Sequence, residues 1–293
     1  MGFKFDYTKP KIIAEIGCNH MGQMDIAKEL IDLAKEAGAG YVKFQKRNNK
    51  ELLTKEQYNA PHPVSHNSYG DTYGAHREFL EFNVEQNREL KEYCDSIGII
   101  YSTSVWDVTS AKEMITFEPK FLKVPSACNN NFAMLKVLRD EFKGQVQLSI
   151  GMTTKNEVEE IVSFFEETNQ AKPRLLIYSC TSGYPVPAKD VALLEINWLY
   201  DNYANRVNEI GFSGHHLGVA LDIAAYTLGA RWIERHFTKD RTWKGTDHAA
   251  SLEPQGLRKL VRDLNATYEA LHFKKDDILP IEQVQRDKLK NRK

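Results

Sequence analysis

The sequence is poor in the features that mark secreted and membrane proteins. Its four cysteines, Cys18, Cys94, Cys128 and Cys180, lie far apart and form no CxxC pair, which disfavours disulfides and a cysteine zinc site. No run of about eighteen apolar residues occurs, so we expect no membrane span. The chain does not start with a basic segment followed by a long apolar run, which leaves the cytoplasm as the expected location.

An excess of one charge is also missing. The 39 Lys and Arg residues face 40 Asp and Glu residues, a formal net charge of -1, so no electrostatic feature favours DNA, RNA or an anionic membrane as a partner. No G-x-G-x-x-G follows the first apolar run, and no GxxxxGK[ST] occurs. We therefore expect a small-molecule partner, bound outside a Rossmann or Walker fold.

Short β-rich apolar runs alternate with longer amphipathic segments along the chain. KIIAEIG at 11–17 is typical of a strand buried on both faces, and the segment at 24–39 has apolar residues at helical spacing. The strands are predicted at 11–17, 41–45, 99–105, 121–126, 145–151, 174–180, 208–214 and 232–238. The helices are predicted at 24–39, 85–97, 108–116, 131–142, 154–167, 188–204, 216–229 and 255–272.

Eight strand–helix units in strict alternation predict an α/β fold, the (β/α)8 or TIM barrel. We assign the barrel to residues 1–273 and a charged C-terminal tail, solvated or packed on the surface, to 274–293. A doubly wound open sheet would also alternate, but its glycine fingerprint is missing. Residues 46–82 form a long polar, aromatic-rich insertion after the second strand, which we interpret as an active-site cover.

Three histidines, His215, His216 and His236, lie near the carboxyl ends of the last two predicted strands. His215 and His236 would leave neighbouring strands at one rim of the barrel, where two imidazoles can share a divalent metal such as Mn, Co, Fe or Zn. Most pairs of histidines are structural, but Glu15 and Asp247 are expected on the same side of the mouth. We expect His216 to begin a helix, as a cap-region residue or a group behind the metal ligands.

A second group of residues suits an anion. Lys43 and Lys123 alternate with apolar neighbours inside predicted strands, where a buried lysine is costly unless it meets an opposite charge. A bound phosphate or carboxylate would supply that charge, and a structural ion pair would do so equally well. Small hydroxyl residues near the ends of several predicted strands surround these lysines. Each alone is weak support, but together with the two lysines they favour a bound phosphate or carboxylate. They are Thr103, Ser126, Ser149, Ser182 and Ser213.

Six ordered motifs carry a family resemblance. They are AEIGCNHMG, GYVKFQ, CTSGYPVP, GFSGHH, WIERHFT and GTDHAASLEP. Together they resemble the sialic acid (N-acetylneuraminate) synthase family, with matches from residue 12 to about residue 272. The resemblance implies a metal-dependent TIM barrel that condenses phosphoenolpyruvate with an open-chain amino sugar, classically N-acetylmannosamine. Such an enzyme releases phosphate and forms a nine-carbon 2-keto acid.

The resemblance also implies roles for individual residues. It makes His215 and His236 the metal ligands, with Mn²⁺ expected and Mg²⁺ or Co²⁺ as alternatives. It implies phosphoenolpyruvate contacts at Lys43, Thr103, Lys123, Ser126, Ser149, Ser182 and Ser213, and sugar contacts at Glu15, Gln45, Tyr184 and Asp247. The residues expected to carry the chemistry are Glu15, Lys43, Lys123, His236 and Asp247. A homodimer is expected by analogy.

The sequence departs from the family pattern in three places. Family members usually carry a C-terminal antifreeze-like domain whose arginine reaches the sugar, and this sequence ends at Lys293, so we expect Arg77, Arg241 or Lys244 to replace that arginine, or a different acceptor. The glutamate of the pattern SGECNN is missing from PSACNN, and the usual SDH is SGH, with Gly214. N-acetylmannosamine, a legionaminate-type precursor, a mannose derivative and a 6-phosphorylated sugar all stay open as acceptors.

Other classes of function also stay open. A metal-dependent barrel aldolase or isomerase would use the same histidines and carboxylates without phosphoenolpyruvate. A deoxy-sugar acid synthase related to the octulosonate enzyme would use phosphoenolpyruvate with a pentose phosphate. A non-catalytic relative that binds sugar or phosphoenolpyruvate is the third alternative.

Overall fold

A computed structural model describes residue 5 and residues 7–290 of the chain. Its eight strands are all parallel and form a closed barrel in sequence order, with β8 paired to β1. The predicted TIM barrel is therefore confirmed. The strands are β1 Lys11–Gly17, β2 Tyr41–Lys46, β3 Ile100–Val105, β4 Phe121–Val124, β5 Gln145–Ser149, β6 Leu175–Cys180, β7 Glu209–Gly214 and β8 Trp232–His236.

Helices follow the strands and cover the outside of the barrel, as the alternating pattern predicts. Each main helix buries one apolar face against the strands; α1, for example, buries Ala27, Leu30, Ile31 and Ala34. The helices are α1 Met24–Glu36, α2 Asn49–Leu52, α3 Lys55–Asn59, α4 Tyr73–Leu80, α5 Val84–Ile97, α6 Val108–Ile115, α7 Phe132–Asp140, α8 Lys155–Glu166, α9 Ala171–Arg174, α10 Glu195–Tyr203, α11 Ala220–Thr227, α12 Pro254–Ala270 and α13 Pro280–Leu289.

Two helices begin later than the sequence predicts. The predicted helix 188–204 begins only at Glu195, because Ala192 adopts a left-handed φ of 52° that interrupts helical geometry. The predicted helix 216–229 begins only at Ala220, because Gly218 has a φ of 77°. The expectation that His216 begins a helix is therefore wrong.

The barrel interior has an apolar floor and a charged layer above it. The floor contains Ile13, Phe121, Leu176, Tyr178 and Trp232, which form a buried cluster of their own. One step further toward the carboxyl ends of the strands, Lys123 places its ammonium 3.9 Å from the centroid of the Tyr178 ring. Catalytic groups of TIM barrels occupy this end of the strands, so the apolar floor closes the site from below.

The 46–82 insertion is folded and contains three short helices, α2 to α4. Side chains of Asn48, Thr54 and Thr72 cap these helices, which explains why a polar segment forms them. The insertion contacts barrel loops in its interior, at Tyr69, and at its carboxyl end, at Phe82. The His20 ring stacks on Phe82 with centroids 4.0 Å apart, and the Tyr69 hydroxyl donates to the carbonyl of Lys244.

The last described residues form the exposed helix α13. The Lys274 ammonium lies 2.6 Å from the Glu282 carboxylate, which fixes the start of this segment, while Ile281 and Val284 are exposed. Residues 291–293 of the predicted tail lie outside the described residues. All four cysteines are free. Within the described part of the chain, no helix has both the length and the apolar character that crossing a membrane requires.

Candidate active site

A cavity of about 450 Å³ lies at the carboxyl ends of the strands. All eight strands contribute at least one residue to its wall. The cavity brings together all of the predicted site residues except Thr103. They are Glu15, Lys43, Gln45, Lys123, Ser126, Ser149, Ser182, Tyr184, Ser213, His215, His236 and Asp247.

Ser104 takes the place predicted for Thr103. Successive residues of a strand point to opposite faces, and Ser104 is the residue of β3 that faces the cavity. Its hydroxyl accepts a hydrogen bond of 2.7 Å from the Lys43 ammonium. Thr103 is buried and is not part of the cavity wall. The expected contact between Thr103 and phosphoenolpyruvate is therefore not supported.

The two buried lysines meet two buried glutamates. Lys43 forms an ion pair with Glu15, and its ammonium lies 3.9 Å from Glu234. Lys123 lies 3.0 Å from Glu234, which also accepts a hydrogen bond of 3.0 Å from Ser213. The sequence left open whether a structural ion pair or a bound anion offsets the charges of the two lysines; the structure shows that ion pairs are present. Glu234 was missed, although its place between Trp232 and His236 on the inward face of β8 marks it.

The two glutamates differ in proton affinity. Burial, together with the charge of Glu234, raises the pKa of Glu15 to about 7, although Lys43 opposes this. Burial also acts to raise the pKa of Glu234, but Lys123 and Lys43 outweigh it and hold that pKa at about 2. Glu234 is therefore a fixed negative charge, whereas Glu15 can exchange a proton near neutral pH.

Hydroxyl groups surround a glycine at the ends of β4 to β6. The Gly151 N–H donates to the Ser126 hydroxyl at 3.0 Å. A Cβ on Gly151 would lie 2.5 Å from the Ser182 hydroxyl and 2.8 Å from that of Ser126, so only glycine leaves this space free. Backbone and hydroxyl donors beside Lys123 form a cradle suited to a phosphate or carboxylate.

His215 and His236 face each other across the mouth, with ring centroids 5.5 Å apart. The Nδ1 of His215 lies 3.0 Å from the carbonyl of Thr181; it donates there, which leaves Nε2 as a free electron-pair donor. The buried Nδ1 of His236 has no hydrogen-bond partner and lies 4.0 Å from the Asp247 carboxylate. Burial lowers the pKa of His236, which keeps the imidazole neutral.

These two imidazoles fit a divalent metal. Metal-binding histidines need a ring nitrogen that is free to face the ion and a second-nitrogen contact that orients the ring; His236 offers an unpartnered buried nitrogen, and the Thr181 carbonyl orients the ring of His215. The residues that the structure describes hold no group of three or more His, Cys, Asp or Glu side chains arranged for a metal. An ion at this place would therefore complete its coordination with oxygens of substrate or water.

Two arginines also belong to the wall, and only one of them was named from the sequence. Arg47 follows β2 directly, is 4% exposed, and places its guanidinium 3.9 Å from the centroid of the Trp106 ring. Arg77 of α4 bonds to the hydroxyl of Tyr73 at 3.0 and 3.1 Å. Arg47 was missed because it stands at the first turn of a long polar segment, where a basic residue carries no signal.

The other two candidates for the sugar-binding cation lie outside the cavity. Arg241 bonds to the carbonyl of Ala249, and the Lys244 ammonium lies over the ring of Tyr69. Where the family pattern has a glutamate, Ala127 lines the wall. Arg77 and the newly found Arg47 are thus the basic residues that could face a sugar.

His216 lies behind His215 and His236, outside the barrel interior. Its Nε2 is 3.2 Å from the guanidinium of Arg235, which also bonds to Asp222 and to the carbonyls of His216 and Gly218. This buried network joins the end of β8 to the loop after β7. It holds in place the two backbone segments that carry His215 and His236.

The fold and the cavity together define a class of protein: a TIM-barrel enzyme. Its cavity has a cradle suited to an anionic small molecule and two histidines arranged to bind a divalent metal. The sequence profile of the NeuB family matches residues 30–276. The chain therefore belongs to the NeuB family.

Relatives cover most of the chain. The N-acetylneuraminate-9-phosphate synthase of Homo sapiens is 37% identical over 278 residues, which are 95% of this chain and 76% of that protein. The N,N'-diacetyllegionaminic acid synthase of Campylobacter jejuni is 30% identical over 263 residues, 90% of this chain and 78% of that protein. The crystal structure of the N-acetylneuraminic acid (sialic acid) synthetase of Leptospira borgpetersenii has a TM-score of 0.80 at 29% identity, covering 97% of this chain and 93% of that one.

The class of enzyme predicted from the sequence is thereby confirmed. The chain is a phosphoenolpyruvate-dependent, C–C bond-forming transferase of the sialic acid synthase type. Enzymes of this family are generally metal-dependent.

Proposed function

We propose that the enzyme joins C3 of phosphoenolpyruvate to C1 of an open-chain N-acetylamino hexose and forms a nonulosonic 2-keto-3-deoxy acid. The observation that carries the proposal is a single cavity in which an anion cradle, two facing histidines and a buried carboxylate, Glu15, lie together. Attack by C3 on the aldehyde leaves an oxocarbenium ion at C2, which water captures. The new C2 hydroxyl then loses its proton as phosphate leaves, so sugar, phosphoenolpyruvate and water yield the 2-keto acid and phosphate.

Phosphoenolpyruvate would occupy the cradle of Ser126, Gly151 and Ser182, beside Lys123. The backbone and hydroxyl donors there bind one anionic group, and the lysine offsets the charge of the other. The pairing of Lys123 with Glu234 positions the ammonium, because the carboxylate holds it at 3.0 Å. Fixing the enol face against the sugar removes much of the entropic barrier to a reaction of two molecules.

The sugar would lie between the histidines and the insertion, in contact with Gln45, Tyr184 and Asp247. The ring of Tyr184 lies 4.5 Å from His215 and 5.8 Å from His236, so it closes this part of the mouth. Glu15 accepts a hydrogen bond of 2.8 Å from Gln45 and, with a pKa near 7, can deliver a proton to the new hydroxyl group.

His215 and His236 would hold the divalent metal, which we propose is Mn²⁺, with Mg²⁺ or Co²⁺ as alternatives. An ion held by these two imidazoles would supply Lewis-acid polarisation of the sugar aldehyde. The location in the cytoplasm and the homodimer stay predictions from the sequence.

The test is phosphate release from phosphoenolpyruvate by metal-stripped protein with Mn²⁺ restored. The acceptors are N-acetylmannosamine, mannose, their 6-phosphates, a 2,4-diacetamido hexose and arabinose 5-phosphate. We expect release with an N-acetylamino hexose or its 6-phosphate, and loss of both Mn²⁺ binding and release in His236→Ala. The exposed His272→Ala serves as control. Full activity of His236→Ala would refute the metal site, and a preference for arabinose 5-phosphate would refute the proposed acceptor.

A further inference from the structure

We propose that Asn19 and Ser251 are positioning residues for Asp247, which they hold at the cavity wall through a buried chain of hydrogen bonds. Both residues are buried, 1% and 3% exposed, and neither lines the cavity. They belong to the motifs AEIGCNHMG and GTDHAASLEP, and the proposed reaction uses neither of them. The inference rests on the proposed function, because Asp247 is there a contact of the sugar.

Ser251 connects Asn19 to the backbone of Asp247. The side-chain nitrogen Nδ2 of Asn19 donates a hydrogen bond of 3.0 Å to the Ser251 hydroxyl, across 232 positions of sequence. That hydroxyl donates in turn to the carbonyl of Asp247 at 2.7 Å. A hydroxyl that accepts one hydrogen bond and donates another has its direction fixed, so the chain transmits the position of Asn19 to Asp247.

The other end of the chain is anchored on the barrel. Asn19 follows β1, and its Nδ2 also donates at 2.9 Å to the carbonyl of Phe237, the residue directly after His236. A carbonyl can only accept, which identifies the amide atom on this side as nitrogen. The Phe237 N–H donates to the carbonyl of Glu15 at 2.8 Å. One asparagine therefore ties Asp247 to the strand ends that carry Glu15 and His236.

Asp247 needs such an anchor because its loop is irregular. Residues 238–247, all of them described, contain neither helix nor strand. The Asp247 carboxylate accepts a hydrogen bond of 3.1 Å from Thr246, and the Ala250 N–H donates to the Asp247 carbonyl at 3.2 Å. Both partners lie on the same loop and would move with it, so these two bonds do not fix the carboxylate relative to His236.

The position of the carboxylate matters for the sugar. Asp247 lines the cavity and lies 4.0 Å from Nδ1 of His236, so it faces the part of the mouth where the aldehyde is to be attacked. A displacement of a positioning group by about 1 Å can lower a rate about 100-fold. Loss of the Ser251 hydroxyl would free the loop to move on this scale, and phosphoenolpyruvate in the cradle after β4 to β6 would be unaffected.

Hydrogen–deuterium exchange tests the anchor without any substrate. In Ser251→Ala, the amides of residues 244–250 should exchange at least about tenfold faster, with β1 and β8 unchanged. Ser102→Ala is the matched control, since its buried hydroxyl also donates at 2.7 Å to a carbonyl, that of Phe121 in the apolar floor. The control should lower the midpoint of urea unfolding by a similar amount and leave exchange in 244–250 unchanged. Unchanged exchange of 244–250 in Ser251→Ala would overturn the proposal.

Calorimetric titration of the metal-loaded enzyme then tests whether the anchor acts through Asp247. In Ser251→Ala, the dissociation constant of N-acetylmannosamine 6-phosphate should rise about tenfold and that of phosphoenolpyruvate should stay within about threefold. Asn19→Asp, which keeps the shape and loses the two donors, should give the same pattern.

A double-mutant cycle separates positioning from a merely structural role. In the Asp247→Ala background, Ser251→Ala should change the dissociation constant of the sugar phosphate less than about twofold, because the residue that it positions is gone. A tenfold effect in both backgrounds would overturn the proposal. Faster loop exchange in an enzyme that releases no phosphate with any sugar would uphold the anchor and contradict the proposed reaction.

Discussion

Single residues set the charge balance of the cavity wall. Glu234 is 6% exposed and lies between two lysine ammonium groups, 3.0 Å from one and 3.9 Å from the other. Its low pKa means that it stays charged throughout the physiological range. Without it, two buried positive charges would share one partner, Glu15, whose own raised pKa makes it a weaker counter-charge.

We therefore predict that Glu234→Gln destabilises the fold. Glutamine keeps the shape and loses the charge, and breaking one side of a buried pair costs about 3 kcal/mol. The midpoint of urea unfolding should fall accordingly. Asp95→Asn, which breaks the exposed Lys91–Asp95 pair, should have no measurable effect. Unchanged stability of Glu234→Gln would show that the ion-pair layer does not hold the barrel together.

At the residue scale, the sequence identifies the chemical types of the site residues more reliably than it identifies which face of a strand each side chain occupies. Both lysines, both histidines and Asp247 line the cavity, and each lies within or follows a recognisable strand; their roles stay predictions. The prediction of Thr103 as a cavity residue is wrong by one position, because successive side chains of a strand point to opposite faces and Ser104 faces the cavity. Arg47 carries no periodic signal in a polar segment, so only the folded insertion shows that it reaches the cavity.

At the scale of elements, the 46–82 insertion positions the arginines through its packing on the first loop of the barrel. Gly22 of that loop has a φ of 72°, and a Cβ there would overlap the backbone oxygen of Phe79 in α4. The close approach of the two backbones places α4, and with it Arg77, over the mouth. A glycine is required at this position for both reasons.

Gly22→Ala should loosen the insertion. The strained backbone and the overlap should cost about 1 to 2 kcal/mol, increase tryptic cleavage within 46–82, and raise the KM for the sugar about tenfold. Gly40→Ala is the control, since a Cβ there meets nothing within 4 Å. If trypsin cleaves Gly22→Ala no faster than the unaltered enzyme, and the KM for the sugar is unchanged, then the contact with Phe79 does not position α4.

The attachment of the insertion should also depend on pH. Burial, together with the charges of Arg47 and His248, lowers the pKa of His20 to about 3, and its ring stacks on Phe82. Below about pH 6.5, His20 binds a proton in the unfolded chain but stays unprotonated in the folded chain. The free energy of unfolding therefore decreases as the pH falls from about 6.5 toward 3.

Urea unfolding at pH 7.5, 6 and 5 tests this dependence. His20→Gln should lose stability less steeply than the unaltered protein, by at most one proton or about 1.4 kcal/mol per pH unit. The exposed His272→Gln should follow the unaltered protein. Parallel curves for His20→Gln and the unaltered protein would mean that His20 is not buried neutral.

The elements themselves are largely predictable from the sequence. Both ends of all eight strands lie within two residues of their predicted bounds, because strands buried on both faces give continuous apolar runs. The helix starts at 188 and 216 were wrong because Ala192 and Gly218 adopt left-handed backbone geometry, which tertiary packing fixes and amphipathic spacing does not reveal. The helices of the insertion were not predicted.

At the scale of the whole molecule, closure of the barrel turns separate strand ends into one site. Pairing of β1 with β8 places Glu15 opposite His236, and pairing of β1 with β2 places Glu15 opposite Lys43. These three residues are remote in sequence, and the order of the strands alone brings them together. The reaction was inferred from the family resemblance, whereas the arrangement of these three side chains around one cavity follows from closure of the barrel.

The most direct test of the account follows the carbon atoms. The enzyme is incubated with Mn²⁺, N-acetylmannosamine 6-phosphate and phosphoenolpyruvate labelled with ¹³C at C3, and the products are read by ¹³C NMR. We predict that the label appears in a methylene group bonded to the former sugar C1, with phosphate released in equal amount. Label in the methyl group of pyruvate, with the sugar unchanged, would mean that the cavity hydrolyses phosphoenolpyruvate and forms no carbon–carbon bond.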